Sequence, residues 1–479
     1  MDDGFATTSL PEFVRREFES YLGCGLLSRG FAVIACQDCD ERRLVAFSCR
    51  GRGFCPSCLG RRMAQTALNL VDHVLPPVGL RQFVLTLPFE LRARLAYDGK
   101  LLGAVTRVFS DSVLGFYRRR LRALDGVVGR SGAVTVVQRT SADLRLNPHL
   151  HAILLDGVYA LGDDGTPVFH PLPSLDTEDV ADLLQVVRVR LLNLLERRGV
   201  IEDRSELRLL DDDLAEREPA LAQLATAAVS GLPPAGPEQR QRSPVALRGQ
   251  PGVRVTAPLC VTELGFSLHA ATRAAATDTR GREALVRYAL RPALAQERLQ
   301  LLDSGLVRIA LRRPFRDGTV AVDLDPLSLL CRLAAAVPPP RTHTVRYSGV
   351  LGSASKWRAL IVPPPPPTSA EHSAHTRHSA KPRPHTHRSR YRPWAELLKR
   401  TFAIDVETCS KCSGRMKLIA FVTEPSNVAR FLRHLGEPTK APAMSAARDP
   451  PYYRTRAVRR ALGELDPPPS EDRVQGELF

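Results

Sequence analysis

Residues 144–157 read LRLNPHLHAILLDG, and the reading of the whole chain turns on them. The run is β-rich, and along a strand side chains alternate between faces. His149 and His151 therefore point one way and Leu150 the other, toward a core. Two imidazoles on one sheet face make two arms of a metal site, with room for a third ligand and for substrate. Both rings are expected to project from the sheet surface. Asn147-Pro148 is expected to break the chain just before this strand, and Asp156-Gly157 to turn it just after.

Working outward, residues 132–139 (GAVTVVQR) are β-branched and are expected to pair with the His strand as a hairpin. Residues 80–88 (LRQFVLTLP) read as a strand, and residues 254–272, including GFSLHAAT, return to strands. Residues 306–323 resemble a β-hairpin. Helical patterns run through RRMAQTALNLVDHVL, residues 100–125 (ending in Arg118, Arg119 and Arg120), residues 176–200 and residues 281–302 around Tyr288. Mixed helices and strands of this kind predict an α+β fold. Residues 201–250 are charged, then rich in Ala, Pro, Gly and Arg, and read as a variable excursion. Residues 362–391 read as a disordered Pro/His/Arg-rich linker, with five histidines (His372, His375, His378, His385, His387) that suit a disordered tract better than a metal site. A small ordered segment, residues 392–436, precedes a disordered tail, residues 437–479.

The 479 residues allow several domains, and 44% hydrophobic residues suffice for a sizeable core. Sixty-seven basic against 51 acidic residues give a net charge of +16, which favours a polyanionic partner, most simply nucleic acid. No stretch approaches the roughly 18 unbroken apolar residues of a membrane span. The opening MDDGFATTSL lacks the basic-then-apolar pattern of a secretory signal. A cytoplasmic, nucleoid-associated protein is expected.

Of ten cysteines, six fall within residues 24–58, and in a reducing compartment such a cluster points to metal. Cys36-x-x-Cys39 and Cys55-x-x-Cys58 have the two-knuckle spacing of a structural zinc site, each turn presenting two thiolates. One zinc held by these four residues is the expectation. Cys24 and Cys49 stand as alternative ligands or spectators. Arg42, Arg43, Arg50, Arg52, Arg61 and Arg62 interleave the knuckles and suit a grip on DNA backbone. Cys409-x-x-Cys412 is half a site, needing His434, an acidic ligand or another chain to complete it.

Tyr288, in EALVRYALRPALAQERL, is the candidate nucleophile, with Arg291 three residues on and on the same helix face. A phenol attacks poorly unless its anion is stabilised, and a divalent metal near a phosphate plus an arginine supply that help. Pro292 is expected to kink the helix after Tyr288. The third metal ligand is open among Gln138, on the neighbouring strand, His269, in GFSLHA, and Gln296 and Glu297, on the tyrosine helix.

The ordered set SCRGRGFCPSC…RRMA, LNPHLHAILLDG, VRYALRPALAQERL, VRYSGVLGSASKWRALIVP and WAELLKRTFAIDVETCSKCSGRMKLIA resembles the rolling-circle insertion-sequence transposases of the HUH endonuclease superfamily, close to the insertion-sequence common-region group. The resemblance covers most of residues 11–436. It implies an N-terminal transposase zinc-binding domain at residues 11–75 and a catalytic domain at residues 76–361, a palm of antiparallel strands with flanking helices. It implies Mg2+ or Mn2+ at His149 and His151, and a 5′-phosphotyrosyl intermediate on single-stranded DNA. Some relatives carry two tyrosines one turn apart; here that position is Pro292, so the chain resembles the single-tyrosine type.

Two other readings compete. A rolling-circle replication initiator or relaxase would share the chemistry, and such proteins often append a helicase, but the chain has no G-x-x-x-x-G-K-[ST] phosphate loop. A catalytically inactive zinc-dependent DNA-binding protein would have lost the nucleophile or the metal ligands, and all three key residues are present. The closing residues Gln475, Leu478 and Phe479 resemble the Gln-x-x-Leu-Phe peptides that dock on the DNA-polymerase sliding clamp.

Overall fold

The computed structural model describes residues 10–204, 208–210, 213–231, 252–315, 317–362, 394–402, 405–441 and 456–459. The five linker histidines and the clamp-like peptide at 475–479 lie outside them. The chain opens with α1 (Glu12–Leu22), β1 (Phe31–Cys36), β2 (Arg42–Ala46) and α2 (Pro56–His73). Pro56 begins α2 at its first position, where no amide hydrogen is needed. Next come β3 (Leu80–Thr86) and α3 (Gly99–Asp125). Asp98 caps α3 by accepting from the amides of Lys100 and Leu101, and Gly126 ends it at φ 67°. The hairpin β4 (Gly132–Thr140) and β5 (Leu146–Leu155) follows, then α4 (Thr177–Arg197), opened by a reciprocal capping box between Asp176 and Asp179.

The chain continues through α5 (Pro219–Ser230), β6 (Arg254–Ala257), β7 (Cys260–Glu263), β8 (Phe266–His269) and α6 (Thr279–Ala289). Then come β9 (Leu299–Leu301), β10 (Val307–Ala310), β11 (Thr319–Leu324), α7 (Pro326–Ala336) and β12 (Val345–Gly349). The C-terminal part holds α8 (Trp394–Phe402), β13 (Met416–Val422), α9 (Pro425–His434) and β14 (Arg456–Arg459).

The main sheet runs β12-β4-β5-β3-β8-β7-β6, antiparallel throughout, with the short strand Arg273–Ala274 also pairing β3. One face carries Phe83, Leu85, Leu150, Leu154 and Leu268 into a core with α3 and α4. The other sets Val134, Val136, Ile153 and Leu155 against Ala67 and Leu70 of α2 and Leu285, Val286 and Ala289 of α6. With both faces covered, β5 is buried along most of its length. The architecture is thus the expected α+β arrangement of an antiparallel sheet with flanking helices.

Several expectations need correction. Asn147-Pro148 does not precede the strand; β5 begins at Leu146 and runs through it. The register against β4 passes from Gln138↔His149 to Thr140↔Leu146, so β5 carries one extra residue there. A bulge tolerates proline inside a sheet, because its missing amide hydrogen leaves no ladder bond unmade. The tyrosine helix stops at Ala289 rather than reaching residue 302, with Pro292 just beyond it. Gln296 and Glu297 then lie in a separate 3-10 turn, exposed and off the helix. Part of the 201–250 excursion is helical core: Ala225, Ala228 and Val229 of α5 pack on Leu146 and Ala335.

The largest correction concerns the C-terminal segment. β13 does not stand apart but completes a second sheet, β13-β1-β2, with Cys36 opposite Met416. Val428 and Leu432 of α9 close over Phe31 and Val33. The tail contributes too, since β14 pairs with β11.

Candidate active site and cysteine clusters

β5 places His149 and His151 on the α6 side of the sheet. Across the strands one row reads Val136, His151, Val84, His269 and the next Gln138, His149, Thr86, Ser267. The two imidazole centroids lie 4.9 Å apart. Contrary to expectation the rings do not project from an open surface: His149 is 9% exposed and His151 1%. The Tyr288 ring stands edge-on to His151, centroids 5.7 Å apart. The guanidinium carbon of Arg291 lies 4.4 Å from the centre of the Tyr288 ring. Arg291 thus meets the tyrosine by folding back beyond the helix end, stacking a cation on its π face.

Gln138 holds this arrangement together. Its side-chain N–H groups donate to the carbonyls of Tyr288 (3.0 Å) and Ala289 (2.9 Å), at the C-terminal end of α6. The side chain proposed as a metal ligand therefore serves as a strut between β4 and the tyrosine helix. Gln82 was not anticipated. It lies within hydrogen-bond distance of Nδ1 of His151 (2.9 Å) and is itself buried. The clue was a lone glutamine in LRQFVLT, on the same strand face as Val84 and Thr86.

The ring nitrogens fit a metal. Nδ1 of His149 donates to the carbonyl of Asn147 (2.7 Å), so Nε2 offers its lone pair. Nε2 of His151 is buried with no hydrogen-bond partner. With the Gln82 amide turned so that its oxygen accepts from Nδ1, that nitrogen also offers a lone pair. Burial keeps both rings neutral near pH 7. It lowers His149 to about 4 against the Asn147 carbonyl, which acts the other way, and His151 well below its usual range. The charge of Arg291 lowers both further. Among the described residues no third His, Cys, Asp or Glu atom joins the pair in a close group. His269 shares the row of His151 two strands away.

A cavity of about 370 Å³ opens beside Tyr288 and Gln138. Arg52 and Arg62 of the N-terminal module line it from one side, and Arg291, Arg298, Arg312 and Arg313 contribute to the rest. Arg52 also donates to the carbonyl of Thr342 (2.7 Å), linking the module to the main domain.

The cysteines divide differently from the sequence reading. Cys24, Cys49, Cys55 and Cys58 form one group; Cys36, Cys39, Cys409 and Cys412 form another. In the first, Sγ–Sγ distances include 3.6 Å for Cys24–Cys55, 3.9 Å for Cys24–Cys58 and 3.4 Å for Cys49–Cys58. Four sulfurs each ~2.3 Å from a zinc ion would stand about 3.8 Å apart, so this group fits structural zinc. The expected quartet Cys36, Cys39, Cys55 and Cys58 is overturned. The first knuckle sits at the end of β1 and the second opens α2, and each finds its partners elsewhere.

Residues 1–87 match a family described as "Transposase zinc-binding domain", and residues 132–358 match one described as "Putative transposase". "Putative transposase y4qJ" of Sinorhizobium fredii is 28% identical over 360 residues, covering 72% of this chain and 76% of that protein. No solved structure matches the chain. Two domain matches and a relative spanning most of both chains agree: the chain is similar to transposases, and its N-terminal part to a transposase zinc-binding domain.

Proposed function

We propose that the protein nicks and rejoins single-stranded DNA at transposon ends through Tyr288, by rolling-circle-type transposition. The observation that carries this reading is Tyr288 edge-on to a buried His149/His151 pair, with Arg291 on its ring. The Tyr288 oxygen attacks a backbone phosphorus, forming the tyrosyl O–P bond and breaking the bond from phosphorus to the 3′-oxygen. The phenol proton leaves to solvent and the departing 3′-oxygen takes one up, giving a 5′-phosphotyrosine and a free 3′-hydroxyl. Attack by another 3′-hydroxyl reverses the step and joins a new strand. Arg291 stabilises the negative charge that develops on the phenolate and phosphate. Mg2+ or Mn2+, held by the Nε2 atoms of His149 and His151, would supply Lewis-acid polarisation of the scissile phosphate.

The arginines around the cavity suit the phosphates flanking the scissile one. Residues 76–361 then act as the catalytic domain and the zinc module adds Arg52 and Arg62 to the DNA path. The Gln475, Leu478 and Phe479 peptide is read as a sliding-clamp ligand. It predicts that removing residues 475–479 abolishes retention on purified clamp.

A single-stranded oligonucleotide carrying the element's end, incubated with Mg2+ or Mn2+, tests the mechanism. A covalent adduct located at Tyr288 by mass spectrometry is expected. An adduct on another tyrosine, or nicking that chelation leaves unchanged, overturns it.

A further inference from the structure

Half of the second cysteine group, Cys409 and Cys412, lies beyond the matched zinc-binding domain, which ends at residue 87. We propose that Cys36, Cys39, Cys409 and Cys412 hold a second zinc ion, which clasps the C-terminal segment to the N-terminal module. The sulfurs stand 3.5 Å (Cys36–Cys412), 3.6 Å (Cys39–Cys409) and 3.5 Å (Cys39–Cys412) apart. A disulfide needs ~2.05 Å, whereas sulfurs around one zinc stand about 3.8 Å apart. All four ligand atoms lie within 4.8 Å of one another.

The backbone around them is shaped as two facing knuckles. The amide of Asp38 donates to Cys36 Sγ and that of Lys411 to Cys409 Sγ, both at 3.4 Å. Each is the amide two residues after the first cysteine of its Cys-x-x-Cys pair, so the two turns are built alike. Ser413 takes a left-handed φ of 59°, and the Cys409 amide donates to the Gly414 carbonyl (2.9 Å), closing the second knuckle. A Cβ at Gly414 would come within 2.2 Å of an Asp38 carboxylate oxygen, so a larger residue there would require the Asp38 side chain to move aside. Lys411 pairs with Glu41 across the junction at 3.1 Å. The β1–β13 register sets the approach, with Cys36 opposite Met416.

Four thiols gathered this way gain little from one another, and a dication that binds all four as thiolates gives the cluster its reason to close. The clasp joins residues 370 positions apart, Cys39 and Cys409. It holds α8 against α2, whose residues Arg62, Met63 and Thr66 line the cavity beside Tyr288.

Zinc counting on the full chain, purified without chelator, tests the proposal. Wild-type protein is expected to carry two zinc ions per chain, Cys412→Ser one and Cys24→Ser one. Cys412 is exposed, so its substitution removes little packing. Cobalt exchange gives a second readout, independent of how tightly each variant keeps zinc. The thiolate-to-cobalt charge-transfer band should halve per chain in Cys412→Ser. One zinc in the wild type, two in Cys412→Ser, an unchanged cobalt band, or a Cys36–Cys412 disulfide in place of metal overturns the clasp.

Discussion

At the scale of single residues, the site depends on which nitrogen of each imidazole carries the proton. Asn147 fixes this for His149 by accepting from Nδ1, and the bulge at Pro148 adjoins the strand positions where that carbonyl meets the ring. Tyr288→Phe should leave single-strand affinity within a few-fold and remove the covalent adduct entirely; normal nicking by the variant would sink the assignment. Arg291→Ala should slow cleavage by about a hundredfold, the usual cost of one charge-stabilising donor, with a much smaller change in binding. Burial lowers the folded-state pKa of His149 to about 4 from an unfolded value near 6.5. The unfolded chain therefore binds the proton first, and stability present above about pH 6.5 drains away as pH falls toward 4. The urea midpoint of wild type should drop more steeply across that window than that of His149→Gln. Equal slopes would mean the imidazole is not buried neutral. The shared face of His149 and His151 was readable from alternation alone. Their burial was not, because no local pattern says which helix lies over a strand.

At the scale of elements, buried side chains tie helix ends to the sheet. Gln138 bonds the last carbonyls of α6. Gln138→Ala should cost about 1–2 kcal/mol of stability, measured by urea unfolding, and lower the cleavage rate more than DNA affinity. Nearby Arg139 is buried and donates to the carbonyls of Ala96 (2.6 Å), Ala335 (3.0 Å) and Ala336 (3.2 Å). Arg139→Met should destabilise by about 3 kcal/mol or more, since buried carbonyls lose a charged donor. Unfolding midpoints equal to wild type would refute that role. Helices and strands with strong caps or alternation, such as α3, α4 and β5, were legible in sequence. The end of α6 was misplaced because its apolar pattern continues past Pro292, whose ring disfavours continuing the helix. α5 was mistaken for part of a loop because alanine gives a weak hydrophobic contrast while forming helix readily.

At the scale of the molecule, the two ends of the chain build one module. β1 is the central strand of β13-β1-β2, and Phe31 packs under α9. A chain ending at residue 393 should lose hydrogen-exchange protection across β1 while keeping it in β5, which pairs with β3 and β4. Undiminished protection in β1 would show that the C-terminal segment is dispensable. No helix among the described residues is long and apolar enough to cross a membrane. The cysteine partition was hidden in the sequence because spacing reports only local turns, whereas the partners of Cys36 arrive through a strand pairing hundreds of residues long in loop closure. That pairing also sets a schedule for synthesis. At about 5–20 residues per second, the 370 positions between Cys39 and Cys409 take roughly 20 to 75 s to translate. Throughout that interval the nascent chain displays an unpaired strand edge and two waiting thiols, and a messenger cut short anywhere before β13 yields a protein whose front end cannot be finished.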